Sequence, residues 1–457
     1  MKKKYINKKE AQSAISKLSD EFVVVKNPNY IFPEYEVYPL AKKITKPLKR
    51  LSAAVMDMDG TTTTTELLCI HSLEYMIRLF SNRLEKTSWK GLDEKNDYPN
   101  IIGNSTTKHV EYLIAQYQKT FKKDYVTKSF LFAAFWTLIF GKDSQRKQEV
   151  TDNLKQFRIN NLLEDTFLNK FKNNIFLDEE DKEQIKNYLF NKFRKNFHSF
   201  GFNDYVRLGI DVYYQRYHEI LERIKIGESR FVAEELFDNS TKHLIEPMPG
   251  ISIFLPMIKG LIKEQKNLFF DYLHDNYLDA VLPKTSVKQK DKIQQNFFSL
   301  CDLFSNEPLK TAVVTSSIFY EADIVLREVF KVIYSELNHL LNSSDFKDEL
   351  LSNFKNYQTY YDSIVTASDS SEIRLKPHRD LYSIALYRLN IPKDKFNEVI
   401  GFEDSESGSI AIRSAGIGLC VAVPFAQTGG HNFSAATYVC KKGIPEVILK
   451  HNLFFNM

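Results

Sequence analysis

The chain has 457 residues, which is too many for one hydrophobic core of typical size, so we expect two or more domains. Hydrophobic residues make up 43% of the chain and charged residues 26%, an ordinary globular composition with enough apolar material for a core. The net charge is +4 and basic residues are interleaved with acidic ones, so no nucleic-acid partner is expected.

The cysteines and the apolar runs indicate a compartment. Four cysteines lie far apart in the sequence: Cys69, Cys301, Cys420 and Cys440. Without paired metal spacing they fit a reduced, cytoplasmic protein. No apolar segment follows the basic Met1–Lys4, so we expect no signal peptide. The most apolar run, Phe130–Phe140, is shorter than the ~20 residues that span a bilayer, so we expect a buried helix and no transmembrane segment.

Residues 1–50 are predicted to form a basic N-terminal arm. The pattern favours a short helix from Lys8 to Leu18. Four prolines then interrupt every regular pattern: Pro28, Pro33, Pro39 and Pro47. We therefore expect an extended segment laid on the body of the protein, with a partly ordered tail as the alternative.

Ala53–Thr61 is the stretch around which the rest of the chain is organised. Four apolar residues without alternation predict a strand buried on both faces of a parallel sheet. The strand stops at Asp57 and Asp59, which can converge in the turn that Gly60 permits. Two crowded carboxylates need a cation or a shared proton, and hard oxygen ligands favour Mg²⁺.

The region after this turn is predicted to change from extended to helical. Thr61–Thr65 are β-branched and favour a short hairpin or flap. From Glu66 to about Pro247 the chain has few glycines or prolines and apolar residues at helical spacing, as in Leu67–Phe80 and Val206–Ile224. We assign residues 66–245 to a separate helical domain.

The rest of the chain alternates strands with helices. A helix is predicted from Ile251 to about Glu264, followed by an insertion over residues 265–308. Further strand predictions fall at residues 311–315, 362–367, 398–402 and 418–423, with helices between them, including 318–341, 380–389 and 409–415. This order predicts an α/β core of residues 51–65 and 246–457 with a doubly wound, Rossmann-like parallel sheet.

The carboxyl ends of these strands carry the candidate site residues. Ligands bind beyond the carboxyl ends of such sheets, where Asp57, Thr315 and Asp404 all fall. Thr315 and Ser316 offer hydroxyls and amides to an anion, Lys376 supplies a cation, and Glu403 with Asp404 supplies more acid. These are the parts of a phosphoryl-transfer site with Mg²⁺.

Taken in order, four segments resemble the motifs of the haloacid dehalogenase-type (HAD) hydrolase superfamily, most of whose members are phosphatases, in its phosphatase or beta-phosphoglucomutase-like branch. The segments are Asp57–Thr61, Val313–Ser316, Lys376–Pro377 with Asp380, and Gly401–Ser405 with Gly408. The resemblance covers residues 51–65 and roughly 246–424.

The resemblance implies a role for each residue of the site. Asp57 would be the nucleophile that forms an aspartyl-phosphate, and Asp59 the general acid and then the base. Mg²⁺ would be held by Asp57, the backbone carbonyl of Asp59, and Asp404. Thr315, with its neighbour Ser316, and Lys376 would bind the phosphoryl group. Glu403 would be either a water-mediated metal ligand or a partner of Lys376.

The long insertion resembles an enlarged family cap, which would close over the site and choose the substrate. Within it we expect the loop from Gly103 to His109 to reach the substrate, with Lys108 or His109 as a ligand; an exposed loop pair is the alternative. The sequence departs from the family at Thr62, where an apolar residue is usual, and at Thr64, where an acidic one is.

Three functions remain open at this point. The first is a Mg²⁺-dependent phosphatase of a small phosphorylated metabolite. The second is a phosphoryl mutase acting on a sugar phosphate; Cys69 counts against it because it stands where the mutase branch typically has a histidine. The third is a non-catalytic binding protein on a HAD-like core, and the four intact motifs count against it.

Overall fold

A computed structural model describes residues 5–27, 31–83, 85, 87–103, 105–172, 174, 176–237, 243–341, 347–371, 374–425 and 428–456. The chain forms two compact units. Met1–Thr64 with Ile245–Met457 make up one, here called the core unit, and Thr65–Leu244 the other, here called the helical unit. The expectations for residues 1–4, Pro28 and Asn104 lie outside the described residues.

Eight strands are found among the described residues, all in the core unit. They are β1 (Phe22–Lys26), β2 (Tyr35–Pro39), β3 (Ala53–Asp57), β4 (Lys310–Val314), β5 (Ser363–Val365), β6 (Val399–Glu403), β7 (Leu419–Ala422) and β8 (Tyr438–Val439). The last six form one sheet in the order β5-β4-β3-β6-β7-β8, and every neighbouring pair in it is parallel. The predicted parallel α/β core is therefore confirmed.

The strand order places β3 at the point where the direction of winding reverses. From β3 the chain proceeds outward to β4 and β5, then returns to the other side of β3 for β6, β7 and β8. This is the doubly wound order, in which the crevice between the two first strands of each half binds the ligand. The register pairs Asp57 with Val314 and Met56 with Phe402, so the residues that follow β4 and β6 reach the same edge as Asp57.

The helices are distributed over both units. The core unit begins with α1 (Lys8–Ile15). The helical unit contains α2 (Glu66–Ser81), α3 (Tyr98–Ile101), α4 (Thr106–Tyr117), α5 (Lys123–Ile139), α6 (Ser144–Gln156), α7 (Thr166–Asn169), α8 (Glu179–Phe193), α9 (Phe202–Lys225) and α10 (Ser229–Phe237). The core unit continues with α11 (Ile251–Ile258), α12 (Lys266–Leu273), α13 (Asp279–Val281), α14 (Val287–Asn306), α15 (Phe319–Leu340), α16 (Lys347–Ser352), α17 (Tyr357–Tyr360), α18 (Asp380–Arg388), α19 (Glu406–Ser414) and α20 (Gly443–Leu449).

The five consecutive threonines form the predicted hairpin or flap only in part, since Thr63 makes a single antiparallel bridge with Pro247. Thr61–Thr65 make a tight turn after β3 in which most of these side chains are buried. The hydroxyl of Thr62 donates to the carbonyl of Asp57 at 2.6 Å, and that of Thr63 donates to the carbonyl of Met58 at 3.1 Å. The hydroxyls thus satisfy the backbone carbonyls at the end of the strand. If the threonines were fully extended, these carbonyls would need other hydrogen-bond donors.

The N-terminal arm contains a β-hairpin that the sequence did not predict. β1 and β2 pair antiparallel, with Val24 opposite Val37. The segment that precedes the hairpin forms a helix, although it ends at Ile15 rather than at the predicted Leu18. The arm lies against the rest of the core unit, because the Ala41 amide donates to the carbonyl of Arg413 at 2.9 Å.

The helical unit has an apolar interior centred on α5. The predicted buried helix over Phe130–Phe140 is confirmed in position, since α5 buries eleven residues from Val126 to Thr137. No helix among the described residues has the length and apolar character to cross a membrane. No disulfide joins the four cysteines, which all lie in the described part of the chain.

Candidate active site

Asp57 ends the central strand and is in direct contact with Lys376. The Lys376 ammonium donates to Asp57 Oδ1, and it also donates to Glu403 Oε1 at 2.6 Å. All three side chains are at least nine-tenths buried. One lysine therefore bridges the carboxylate that ends β3 and the carboxylate that ends β6.

Glu403 is held by groups from two further elements. The Tyr382 hydroxyl, on α18, donates to Glu403 Oε1 at 2.9 Å, and the Ser405 hydroxyl donates to Glu403 Oε2 at 2.9 Å. A side chain on Gly408 would collide with this carboxylate, since a Cβ there would lie 1.8 Å from Glu403 Oε1. Glu403 is thus a contact of Lys376, which is one of the two roles that the resemblance implies for it.

Asp59 lies beside the residues that follow β4. The Thr315 hydroxyl donates to Asp59 Oδ2 at 2.9 Å, and the Ser317 hydroxyl donates to the same oxygen at 3.4 Å. The Ser317 amide in turn donates to the Thr315 hydroxyl at 2.9 Å. Two hydroxyls, from Thr315 and Ser317, therefore lie next to Asp59, while Ser316, predicted to bind the phosphoryl group, is half-buried.

Asp404 contacts the turn that follows β3. The Thr61 hydroxyl donates to Asp404 Oδ1 at 3.3 Å. Gly60 has a positive φ of 80°, and a Cβ there would lie 2.7 Å from Asp404 Oδ2. Only a glycine combines this backbone conformation with so close an approach of the carboxylate.

The electrostatics of this group favour a bound cation. Burial raises the pKa of Asp57 well above its ordinary value, and the neighbouring charges of Glu403 and Asp404 raise it further against the opposing effect of Lys376. Burial alone would lower the pKa of Lys376, but attraction by Asp57 and Glu403 raises it instead. Negative charge therefore dominates at the end of β3 even with the lysine in place.

Three carboxylates have oxygen atoms within 4.8 Å of one another: Asp57, Glu403 and Asp404. Hard carboxylate oxygens at this separation fit a divalent cation such as Mg²⁺. Glu403 Oε1 is already shared by Lys376 and Tyr382, so Asp57 and Asp404 are the better placed side-chain ligands. The donor set fits the predicted metal.

A second group of possible ligands lies near the end of the chain. Cys440, Glu446 and His451 have donor atoms within 4.8 Å of one another. The Lys450 ammonium donates to Glu446 Oε1 at 2.6 Å, so a lysine already neutralises the one carboxylate of this group. We treat this group as structural.

The predicted substrate loop is partly wrong. Lys108 and His109 lie in the first turn of α4, which begins at Thr106, rather than in a loop that runs to His109. His109 is buried and Lys108 half-buried, so the alternative of an exposed pair is also wrong. The polar residues that suggested a loop, Ser105 among them, instead form the N-terminal boundary of the helix.

Several residues of the site were missed from the sequence. Tyr382 and Ser405 hold Glu403, and Ser317 contacts Asp59. Ser405 could have been recognised from the sequence, because serine is a preferred residue at the N-terminal cap of a helix. Ser405 does cap α19 in the structure. Tyr382 had none, since an aromatic residue in an amphipathic helix is typical of core packing.

The comparisons with known proteins are limited to structures. No family model and no curated protein matches the chain. Among solved structures, CbbY from Rhodobacter sphaeroides in complex with phosphate matches with 12% identity over 87% of this chain and 96% of that chain, at a TM-score of 0.35. A CbbY variant from the same organism in complex with xylulose-(1,5)bisphosphate matches with 12% identity over 85% and 93%, at a TM-score of 0.34.

Beta-phosphoglucomutase from Clostridium difficile matches with 15% identity over 85% of this chain and 90% of that chain, at a TM-score of 0.29. These proteins belong to the superfamily that the four motifs resemble. In its four motif segments, the chain resembles the haloacid dehalogenase-type superfamily.

Proposed function

We propose that this chain is a Mg²⁺-dependent phosphatase that hydrolyses a small phosphorylated metabolite through an aspartyl-phosphate intermediate. The observation that supports this is the convergence of Asp57, Asp404 and Lys376 at the switch point of the sheet, with Asp59 and Thr315 beside them. Carboxylates, one buried ammonium and hydroxyl groups at the ends of parallel strands are suited to positioning a phosphoryl group and neutralising its charge.

In the first half of the reaction Asp57 attacks phosphorus and the bond from phosphorus to the leaving oxygen breaks. Lys376 keeps the attacking carboxylate oriented and draws charge from the phosphoryl oxygens. Asp59, which is less buried than Asp57, gives its proton to the leaving oxygen. The Thr315 hydroxyl orients Asp59 for this transfer.

In the second half water attacks the aspartyl-phosphate. Asp59, now ionised, takes a proton from the water, and the bond between Asp57 and phosphorus breaks to release inorganic phosphate. Asp57 and Asp404, with the backbone carbonyl of Asp59, would hold Mg²⁺. When bound, the ion supplies positive charge that offsets the charge of the phosphoryl oxygens.

The same site supports a proposal for the substrate class. We infer a small phosphorylated substrate because Lys376, Asp57 and Asp404 are grouped closely enough to act on a single phosphoryl group. Cytoplasmic location stays a prediction from cysteine usage, as does the assignment of residues 66–245 to a substrate-selecting cap. The roles given to Ser316, Lys108 and His109 also remain predictions.

The test is a screen for phosphate release from phosphorylated metabolites, with Mg²⁺ or with a chelator. We expect release with Mg²⁺ by the wild type and a loss of at least about 1000-fold in Asp57→Asn. Asp394→Asn, which removes an exposed carboxylate, is the matched control and should retain the wild-type rate. Equal release by Asp57→Asn would contradict the proposal, and isomerised substrate formed faster than phosphate would favour a mutase.

A further inference from the structure

The N-terminal hairpin contacts the loop that carries Lys376. Tyr38, on β2, is buried, and its hydroxyl lies 2.8 Å from Nδ1 of His378. The Arg374 guanidinium donates to the same hydroxyl at 3.0 Å. The Tyr38 hydroxyl itself donates to the carboxylate of Glu36. One hydroxyl of the arm is therefore bonded to residues on both sides of Lys376.

The hydrogen-bonding capacity of Tyr38 is filled by these contacts. A phenol has one proton to donate and two lone pairs that accept. The proton goes to Glu36, so the lone pairs accept from Arg374 and from a protonated Nδ1 of His378. Removal of this one oxygen would leave the buried His378 nitrogen without this partner.

The loop is also closed on itself around Lys376. Arg374 makes two hydrogen bonds to the carboxylate of Asp380, at 2.8 Å and 2.9 Å. Such a bidentate pair fixes both distance and orientation. The His378 amide donates to the carbonyl of Leu375 at 2.9 Å, which tightens the turn between them. A loop held at both ends leaves Lys376 little freedom to move away from Asp57.

A second contact holds the hairpin against the helix that follows Asp404. Arg413, on α19, is completely buried. It donates to the carbonyl of Ala41, just after β2, at 2.7 Å and is paired with Glu21, just before β1. The base of the hairpin is thus bonded to α19, which follows Asp404, while Tyr38 is bonded to the loop that carries Lys376.

Core packing does not account for the hairpin. Of its ten strand residues, Val25 and Tyr38 are buried, while Val24 and Val37 are exposed. Little apolar surface is removed from water by so few buried side chains. The described contacts of β2 with the rest of the core unit are instead concentrated on the polar group around Arg374 and His378.

We infer that the hairpin is part of the active site, with Tyr38 as a positioning residue that holds the Arg374–Asp380 loop so that Lys376 stays on Asp57. This inference rests on the proposed function, because it assigns Lys376 to phosphoryl transfer. The hairpin precedes the first motif and lies outside the segments that resemble the superfamily.

The test compares Tyr38→Phe with Tyr35→Phe, which removes the same atom from an exposed position on the same strand. We expect kcat for phosphate release to fall by about 10- to 100-fold in Tyr38→Phe, with KM changed less than about threefold. The reason is that Lys376 contacts the reacting carboxylate rather than the rest of the substrate. Tyr35→Phe should behave as the wild type.

Hydrogen exchange provides a readout that does not need activity. The amides of residues 374–380 should exchange faster in Tyr38→Phe than in Tyr35→Phe, with exchange in α5 unchanged. If Tyr38→Phe fails to fold, Glu36→Gln should show the same local change with a smaller loss of kcat. Equal kcat and equal exchange in the two tyrosine variants would overturn the inference.

The two proposals fail differently. A wild-type chain that releases no phosphate from any substrate would overturn the proposed function. In that case the exchange of residues 374–380 still decides whether Tyr38 holds the loop. A wild-type chain that is active, with Tyr38→Phe equally active, would overturn the positioning role alone.

Discussion

Among the buried carboxylates, Glu219 in the helical unit and Asp57 in the core unit differ in their surroundings. In the helical unit, Glu219 on α9 pairs with Lys182 at 2.8 Å and Arg216 at 3.6 Å, and accepts a hydrogen bond from Gln215. Burial would raise its pKa, but these partners lower it below the ordinary value. In the core unit, burial and neighbouring carboxylates raise the pKa of Asp57 although Lys376 contacts it.

This difference is the one expected between a structural charge and a charge of the proposed site. Glu219 is stabilised in its ionised form by two cations, so it adds to the stability of the folded helical unit. Asp57 shares one ammonium with Glu403 and lies within reach of Asp404. A buried group whose charged form is destabilised is costly to the fold and is typical of a site that awaits a ligand.

The largest effect that we expect from substituting these two residues is on the stability of the fold. Glu219→Gln should lower the free energy of unfolding by about 3 kcal/mol, because it removes the buried partner that Arg216 and Lys182 share. Among the described residues, each cation keeps only its more exposed carboxylate, Glu235 for Arg216 and Glu179 for Lys182. Asp57→Asn without metal should cost nothing or stabilise, since it removes a charge that its surroundings disfavour. Chemical unfolding at pH 7 with a chelator measures both.

The pH dependence of stability should have opposite signs at the two residues. The native pKa of Asp57 is raised above 3.8, so the native state keeps a proton that the unfolded chain loses, and stability falls as pH rises toward the native pKa. The native pKa of Glu219 is lowered below 4.5, so its contribution is present above that value and is lost as pH falls through the native pKa. Melting temperatures from pH 4 to 8 should therefore decline less toward high pH in Asp57→Asn. Equal slopes in Asp57→Asn and the wild type would contradict this assignment.

The fold of the core could be predicted wherever the signal was local. An unbroken apolar run ending in two carboxylates identified β3, and the predicted strands at 311–315, 398–402 and 418–423 lie within one residue of β4, β6 and β7. The N-terminal hairpin could not be predicted, because its stabilising contacts are distant. Tyr38 and His378 are 340 residues apart in the sequence.

The site was predictable to the same extent. Asp57, Lys376 and Asp404 belong to short segments whose chemistry is visible in the sequence, and the structure brings them together. The contact of Ser317 with Asp59 was not predicted, because the position of a hydroxyl depends on the conformation of the turn. At Thr61–Thr65, β-branching suggested an extended segment, whereas hydrogen bonding to strand-end carbonyls determines the structure.

Magnesium should stabilise the protein through the core carboxylates. At a concentration 100 times its dissociation constant, a ligand of the native state adds about 2.7 kcal/mol to the free energy of unfolding. We expect a shift of this size in the wild type and its loss in Asp404→Asn, measured by thermal unfolding with and without Mg²⁺. Glu446→Gln is the matched control, since Glu446 is paired with Lys450, and it should retain the shift. An equal shift in Asp404→Asn and the wild type would place the metal elsewhere.

The smallest expected effect comes from two buried threonines, one in each unit. Thr62 donates to the Asp57 carbonyl, so Thr62→Val should lower the free energy of unfolding by about 1 kcal/mol. The Thr127 hydroxyl, buried in α5, has no hydrogen-bond partner among the described residues, so Thr127→Val should be neutral or stabilising. Thr62→Val should also lower kcat severalfold, because the carbonyl that loses its hydrogen bond belongs to Asp57, the proposed nucleophile. If the two valine variants were equally stable and equally active, the turn after β3 would not depend on its hydroxyls. The presence of Thr62, where an apolar residue is usual in the superfamily, would then have no structural consequence.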